Sequence, residues 1–304
     1  MLNVCEERGL WEIAPALNAY NDTPSLFGDP AKVEALPTEV LMVIDSGYSH
    51  TTVTPLLYGR PIQSAIKRMT VGGKFMTNYL KELLSIRHYS LMDEPHLVNE
   101  IKEAVSYVSL DFSNDLDRTW KGYTGRKKPH DDDIRIDYLL PDYETRIRGE
   151  MRPHIPQPMK RQLVPGQKKE DILTLGNERF TIPELLFNPT DIGMKEAGIP
   201  ETVMQSLSTL PQGLWPAFLA NVLVVGGNAS IPGFVERLER ELRMIAPADY
   251  VVRVKKPEDP ITYTWQGGAK LASSKEVLKD KVVTKEEYME HGSAWVGKKF
   301  AGTV

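Results

Sequence analysis

One stretch of the sequence, VLMVIDSGYSHTTVTP at residues 40–55, constrains the fold more than any other. An apolar run at 40–44 leads directly into Asp45, Ser46 and Gly47, and a Ser/Thr-rich run with the alternation of a second strand follows. The pattern predicts an antiparallel hairpin with Gly47 in its turn. A buried strand that ends in an acid and a glycine usually places both at a cleft, so the hairpin is a candidate phosphate-binding element.

A second strand-to-glycine turn lies at Gly226, Gly227 and Asn228, between the apolar run 222–225 and an amphipathic helix. Only glycine lets backbone N–H groups approach phosphate oxygens without an intervening side chain. An acid at a strand end, such as Asp45, can hold the water shell of a magnesium ion. Hairpin turning and tight packing explain the same residues without a ligand, because short motifs occur often. On these residues alone, a nucleotide site and a purely structural role both stay open.

Two charged residues of a predicted helix lie off its expected buried face. Four apolar residues recur at helical spacing in EPHLVNEIKEAVSYV, and this spacing predicts the face that packs on the core: Leu97, Ile101, Val105 and Val108. Lys102 and Glu103 fall outside that face, so we expect both to be free to face a cleft.

The length, net charge, cysteine count and order of apolar runs restrict the cellular compartment and the fold class. The chain has 304 residues, a formal net charge of −4 and one cysteine, so neither wholesale binding to nucleic acid or membrane nor a disulfide framework is expected. The apolar runs are too short to span a bilayer and no basic-then-apolar leader opens the chain, which favours an intracellular protein. Strands alternate with helices from residue 40 onwards, so the predicted class is α/β. Residues 1–38 are rich in turn formers and are predicted to be irregular.

Residues 113–170 differ in composition from the remainder. From Arg118 to Lys169 there are 13 Lys and Arg against 7 Asp and Glu, a net charge near +6, which leaves the rest near −10. The segment is studded with proline and has one strand-like run, IRIDYLL, so we interpret it as an insertion. Its basic runs are compatible with nucleic acid, an acidic protein surface or solubility alone. The acidic run HDDD at 130–133 is more typical of a solvated stretch than of a metal site.

Several other catalytic schemes are disfavoured. The sequence has no G-x-x-x-x-G-K-S/T loop and no G-x-S-x-G elbow, which argues against a P-loop enzyme and an α/β-hydrolase. Its six histidines are scattered, and a single cysteine cannot build a zinc cluster.

Taken in order, these pieces resemble the second half of the actin family. The runs VIDSGYSHTTVTPLLYG, NEIKEAVSYVSLDF, LGNERFTIPELLFNP, VVGGNASIPGF and WQGGAKLASS are similar to its second phosphate hairpin, its nucleotide-side helix and its later landmarks. The resemblance covers residues 40–112 and 172–304. Details such as LLSIRHYSLMDE and EHGSAWVGKKF are more similar to the sixth class of actin-related proteins than to actin itself.

The resemblance implies an actin-like fold, with two α/β domains around a nucleotide cleft and helices against a five-stranded sheet in each. Residues 39–112 and 171–260 would form the second domain, residues 113–170 an insertion in its outer subdomain, and residues 261–304 the return to the first domain. Residues 1–38 show no counterpart of the family's first domain. We therefore expect that domain to be missing from the chain, and half of the cleft with it.

The resemblance also implies a binding site for ATP or ADP with magnesium. Asp45 matches the acid that holds the metal through water. Three other positions of the family's site carry a different residue here: Tyr48 replaces the second acid of the hairpin, Thr52 replaces the histidine near the attacking water, and Ile261 replaces the lysine near adenine. Hydrolysis needs a positioned water and a polarising group, so no catalytic residue is expected and a bound nucleotide would be structural. The full implied nucleotide-binding set is Asp45, Ser46, Gly47, Lys102, Glu103, Gly226, Gly227, Asn228 and Ile231.

Resemblance to the sixth class implies a non-catalytic scaffold subunit of a nuclear Swr-type chromatin-remodelling complex, which exchanges a Z-type variant histone into nucleosomes. The implied partners are other subunits of that complex, and histones or nucleosomal DNA at the basic segment 118–169, with no membrane. The insertion would obstruct the head-to-tail surface that a filament needs. Two alternatives stay open: an ATP-hydrolysing or sugar-kinase-like enzyme, and a cytoskeletal actin-like protein. The expected location is the nucleus, and also the cytoplasm.

Overall fold

The structure, a computed structural model, describes residues 14–21, 23–28, 39–119, 134–144, 146–154, 170–273 and 282–300. The chain divides into two compact units. Unit 1 comprises Met1–Gly73, Lys195–Ser230 and Phe234–Val304, and unit 2 comprises Lys74–Met194 and Ile231–Gly233. The segment boundaries predicted at residues 38, 112, 170 and 260 rest on the resemblance to the family, and they stay predictions.

The secondary structure alternates between strands and helices along most of the chain. The strands are β1 (Val40–Ser46), β2 (Thr51–Leu57), β3 (Arg60–Pro61), β4 (Lys67–Met69), β5 (Ile136–Leu139), β6 (Glu150–Pro153), β7 (Ile172–Leu175), β8 (Val222–Val225) and β9 (Val254–Lys255). The α-helices are α1 (Thr23–Leu26), α2 (Gly73–Arg87), α3 (Pro95–Val105), α4 (Phe112–Thr119), α5 (Glu178–Glu184), α6 (Ile199–Ser208), α7 (Trp215–Ala220), α8 (Phe234–Ile245), α9 (Tyr263–Ser273) and α10 (Lys285–Phe300). Short 3₁₀ helices lie at Ala14–Tyr20, Gln63–Ala65, Pro189–Ile192, Gln212–Leu214 and Gly227–Ser230.

A mixed sheet is the centre of unit 1. Its order is β3-β2-β1-β8-β9, and β4 also pairs with β2, which makes six strands instead of the five expected. The predicted hairpin is confirmed, because β1 and β2 are antiparallel from Val40 opposite Leu57 to Ser46 opposite Thr51. Strand β8 runs parallel to β1, with Asp45 opposite Val225. Since parallel strands end at the same edge of a sheet, both glycine turns follow at that edge.

The beginning of the described chain corrects the prediction of an irregular segment. The 3₁₀ helix Ala14–Tyr20 and helix α1 precede the sheet. Ala16 of the 3₁₀ helix and Phe27, which follows α1, are part of the hydrophobic core. Helix α9 packs against this 3₁₀ helix, because Gly267 has no side chain and a Cβ there would lie 2.8 Å from the carbonyl carbon of Leu17. Helix α9 begins at Tyr263. The core cluster contains Ala16, Phe27, Leu41, Val43, Leu56, Leu223, Val225 and Tyr263.

Unit 2 contains α-helices and an antiparallel sheet of order β6-β5-β7. The predicted insertion is more ordered than its single strand-like run indicated, because β5 pairs with both β6 and β7. The run HDDD and most of the basic residues lie in 120–133 and 155–169, outside the described residues. In the ranges that the structure describes, no helix is long and apolar enough to cross a membrane.

Candidate functional site

The turn between β1 and β2 is closed by the protein's own hydrogen bonds. The Gly47 amide donates to the carbonyl of His50 at 3.1 Å. Below it, the hydroxyls of Ser46 and Thr51 are 3.1 Å apart, and Thr51 donates to the carbonyl of Val71 at 2.9 Å. Ser46 and Thr51 are fully buried, so these neutral hydrogen bonds are shielded from water. The protein's own hydrogen bonds therefore define this turn.

The second glycine turn lies against the first. Gly226 has a φ of +92°, and its amide donates to the carbonyl of Pro260 at 2.9 Å. A Cβ on Gly226 would overlap the Ser46 carbonyl and lie 2.8 Å from Oδ1 of Asp45. Gly227 is exposed, with nothing within 4 Å of a Cβ at that position. An acid at the end of a strand beside open glycine backbone fits the phosphate side of a magnesium nucleotide.

The side chain of Asn228 connects the two turns. Its Nδ2 donates to Ser46 Oγ at 3.1 Å and to the carbonyl of Gly47 at 2.9 Å. The sequence indicated Asn228 as a member of the glycine turn but not as a donor to the hairpin. An asparagine next to two glycines is a weak local signal of this role, because the sequence does not show that the amide is buried and therefore needs partners.

Lys102 corrects the expectation of a lysine free to face a cleft. It lies in unit 2, its exposed fraction is 4%, and Nζ donates to Thr77 Oγ1 at 3.0 Å and to Asn99 Oδ1 at 2.9 Å. Burial lowers the pKa of Lys102 from its usual 10.5 to about 8, and the charge of Glu103 partly opposes this. The prediction failed because helical spacing shows which residues share a face, not how far a neighbouring element covers the next one.

The other two predicted site residues of unit 2 differ in exposure. Glu103 is exposed, and its Oε1 accepts a hydrogen bond from Nδ2 of Asn99 at 2.7 Å. Ile231 is half-buried and leads into Gly233, whose φ is +83° and whose Cβ would overlap the carbonyl of Val108. The structure thus brings Asp45, Ser46, Gly47, Gly226, Gly227 and Asn228 together in unit 1, and it assigns Lys102, Glu103 and Ile231 to unit 2. Their roles in nucleotide binding stay predictions.

The three residues that depart from the family pattern, Tyr48, Thr52 and Ile261, differ in exposure. Tyr48 has an exposed fraction of 56%, and its ring packs on Gly73, where a Cβ would lie 3.1 Å from Cδ2. Thr52 is fully buried in β2, and Ile261 has an exposed fraction of 66%. His50, which no sequence motif indicated, lies at the end of the turn with its Nδ1 3.4 Å from Nη2 of Arg68. Across the described ranges, no group of three or more His, Cys, Asp or Glu side chains is arranged to hold a metal ion directly.

Comparison with known proteins identifies the class. The family model described as Actin matches residues 12–301, so the chain belongs to the actin family and the predicted actin-like α/β fold is confirmed. The expectation of a missing first domain is not supported, because this match begins inside the segment that was expected to lack a counterpart.

The relatives place the chain more finely within the family. It is 54% identical over 302 residues to an actin-like protein arp6 of Emericella nidulans, covering 95% of this chain and 63% of the relative. It is 51% identical over 292 residues to an actin-related protein 6 of Neurospora crassa, covering 95% and 65%. For an actin-related protein 6 of Drosophila melanogaster the identity is 43% over 256 residues, covering 83% and 60%. The chain therefore spans less than two thirds of the length of these curated relatives.

Proposed function

We propose that this chain is a non-catalytic, actin-related scaffold subunit of a Swr-type chromatin-remodelling complex, which exchanges a Z-type variant histone into nucleosomes. The observation that carries the proposal is 51–54% identity, over 95–96% of the chain, to proteins named actin-like protein arp6 or actin-related protein 6. The absence of catalysis is supported by Tyr48 and Thr52, which replace the acid and the histidine that the family resemblance assigns to hydrolysis.

The proposal includes partners and a location. The partners are other subunits of the complex, and the basic segment 118–169 contacts histones or nucleosomal DNA, because its charge near +6 complements phosphate and acidic surfaces. The protein acts in the nucleus and is also present in the cytoplasm.

A nucleotide would have a structural role in this proposal. The residues of unit 1 fit ATP or ADP with magnesium: Asp45 would hold the metal through water, and the backbone at Gly227 would face the phosphates. Binding to the folded state alone stabilises a protein by mass action, about 2.7 kcal/mol at a ligand concentration 100 times Kd.

The test uses cells of the source species from which the gene has been deleted. We expect deletion to lower the chromatin-bound Z-type histone, and the tagged wild-type protein to restore it and to co-purify stoichiometrically with the remodelling ATPase. Asp45→Asn should restore it wherever the variant enters the complex, as should the control Asp249→Asn, which changes an exposed acid 204 positions further along the chain. Unchanged histone levels after deletion would refute the proposal.

The enzyme alternative is favoured by one observation, the carboxylate of Asp45 beside the turn at Gly226. If Asp45→Asn enters the complex but fails to restore histone exchange while Asp249→Asn succeeds, the scaffold reading is wrong. Phosphate release by the purified chain with magnesium-ATP would then be expected. Pelleting of the purified chain in polymerising salt would instead favour the cytoskeletal alternative.

A further inference from the structure

We propose that Asn228 is a positioning residue that holds the two glycine turns of unit 1 together from within the protein, so that their arrangement needs no bound nucleotide. The inference does not depend on membership of a remodelling complex. It concerns the residues between which the family resemblance places phosphates, and it assigns the Asn228 amide to the protein instead of to a ligand.

The first argument is the pair of acceptors that Asn228 contacts. Both hydrogen bonds of Nδ2 go to the hairpin, to Ser46 Oγ and to the carbonyl of Gly47, across 182 and 181 residues of sequence. An NH₂ group has two hydrogens, so these two acceptors use the full donor capacity of the amide. The exposed fraction of Asn228 is 5%, and water therefore competes little for these bonds.

The second argument is the convergence of donors on one carbonyl. The Gly47 oxygen also accepts the amide of Gly73 at 3.0 Å, so donors from two further segments meet on the hairpin turn. Oδ1 of Asn228 lies 3.4 Å from the position of a Cβ on Gly73. One side chain thus lies among the turns at Gly47 and Gly226 and the first residue of α2, Gly73, all within unit 1.

The third argument is the chemistry of the side chain. Aspartate has the same shape but only acceptors when ionised, and it would face the acceptor oxygen of Gly47. Threonine has one hydroxyl donor and could serve only one of the two acceptors. Asparagine is neutral at every physiological pH, so the connection is independent of pH as well as of ligand.

The test measures amide hydrogen exchange in the full chain, at Gly47 and Gly73, with and without 2 mM magnesium-ATP. In the wild type we expect the exchange rates at both amides to change less than twofold on addition of magnesium-ATP. In Asn228→Ala and Asn228→Asp both amides should exchange at least tenfold faster, and Asn228→Thr should be intermediate because one donor remains.

The matched control is Asn221→Ala. Asn221 is another buried asparagine of unit 1, with an exposed fraction of 1% and a hydrogen bond from Nδ2 to the carbonyl of Val40 at 3.1 Å. Its loss should lower the melting temperature without a specific increase in exchange at Gly47 and Gly73. A general loss of stability is thereby distinguished from release of the turns.

Two results would overturn the proposal. One is exchange at Gly47 and Gly73 that is no faster in Asn228→Ala than in Asn221→Ala. The other is wild-type exchange at these amides that slows more than fivefold with magnesium-ATP, since the nucleotide would then order the turns. If the alanine and aspartate variants do not fold, Asn228→Thr decides: wild-type exchange rates in that variant refute the proposal, and intermediate rates support it.

Discussion

The two polar clusters to which the family resemblance assigns nucleotide binding are built on different physical principles. In unit 1 the neutral groups of Ser46, Gly47 and Asn228 are joined by hydrogen bonds around a glycine turn, with the carboxylate of Asp45 beside it. In unit 2 a buried cation, Lys102, is held by the oxygens of Thr77 and Asn99. The first arrangement depends on close steric fit, and the second on compensation of a desolvated charge.

The difference shows where each cluster is sensitive. The unit 1 cluster is destabilised when volume is added, because Gly226 has a left-handed φ and lies so close to the Ser46 carbonyl that a Cβ has no room. The stability of the unit 2 cluster changes when the hydrogen-bond partners of the buried ammonium are removed or when the pH changes, because burial disfavours the charged form. Added volume therefore tests the unit 1 cluster, and the loss of a hydrogen-bond partner or a change in pH tests the unit 2 cluster.

The largest expected effect is steric. Gly226→Ala should lower the free energy of unfolding by about 3–5 kcal/mol, because the residue keeps a φ of +92° and its Cβ would lie 2.6 Å from the carbonyl carbon of Ser46. Chemical denaturation measures the change. The neighbouring Gly227→Ala, whose Cβ would meet nothing within 4 Å, should stay within about 0.5 kcal/mol. Equal losses in the two variants would show that the close approach at Gly226 is not what matters.

A smaller effect comes from removing one hydroxyl in each cluster. Thr77→Val should cost about 2 kcal/mol, since this hydroxyl accepts from the ammonium of Lys102 at 3.0 Å, and hydrogen bonds to charged groups are the stronger class. Ser46→Ala, which removes a neutral acceptor of Asn228, should cost about 1 kcal/mol. Denaturation midpoints of the two variants, measured side by side, test the comparison. A larger cost for Ser46→Ala would reverse it.

The pH dependence of Lys102 gives an effect of about 1 kcal/mol. Burial lowers the pKa of Lys102 to about 8 in the folded chain from 10.5, so between these values the unfolded chain binds more protons and stability rises with pH. Below pH 8 both states carry the proton, and the full cost of the buried charge remains. From pH 8 to 9 the wild type should gain about 1 kcal/mol relative to Lys102→Met. A difference that stays flat over this range would contradict the burial of a titrating ammonium.

The smallest expected effect lies outside both clusters. Ile261→Lys introduces the lysine that the family resemblance assigns near adenine, at a side chain with an exposed fraction of 66%. Because little apolar contact is lost, the free energy of unfolding should change by less than about 0.5 kcal/mol. Thermal melting without nucleotide measures this. A loss of several degrees would mean that Ile261 packs more closely than its exposure indicates.

Much of unit 1 could be predicted because its signals are local. An apolar strand, a turn with glycine and an alternating return strand occupy residues 40–57, and the observed register confirms the hairpin. The glycine turn at 226–227 follows a buried strand in the same way. The helical turns within residues 14–21 and 23–28 were missed, because a proline-rich composition disfavours regular structure locally, while contacts with distant strands stabilise it.

Strand β6 was missed for a related reason. Its four residues are mostly exposed, so they carry no alternation of apolar and polar side chains, and the strand exists because β5 lies beside it. Pairing of this kind is decided by a neighbour in space and leaves little trace in the segment itself.

The sequence by itself determined the class of fold, the hairpin, the two glycine turns and the departures at Tyr48 and Thr52, because each is a property of a short segment. Only the tertiary structure decided that Lys102 is buried and that Asn228 donates across 182 residues to Ser46. Burial and long-range hydrogen bonds depend on which surfaces pack together, and a periodic pattern specifies a face but not what covers it.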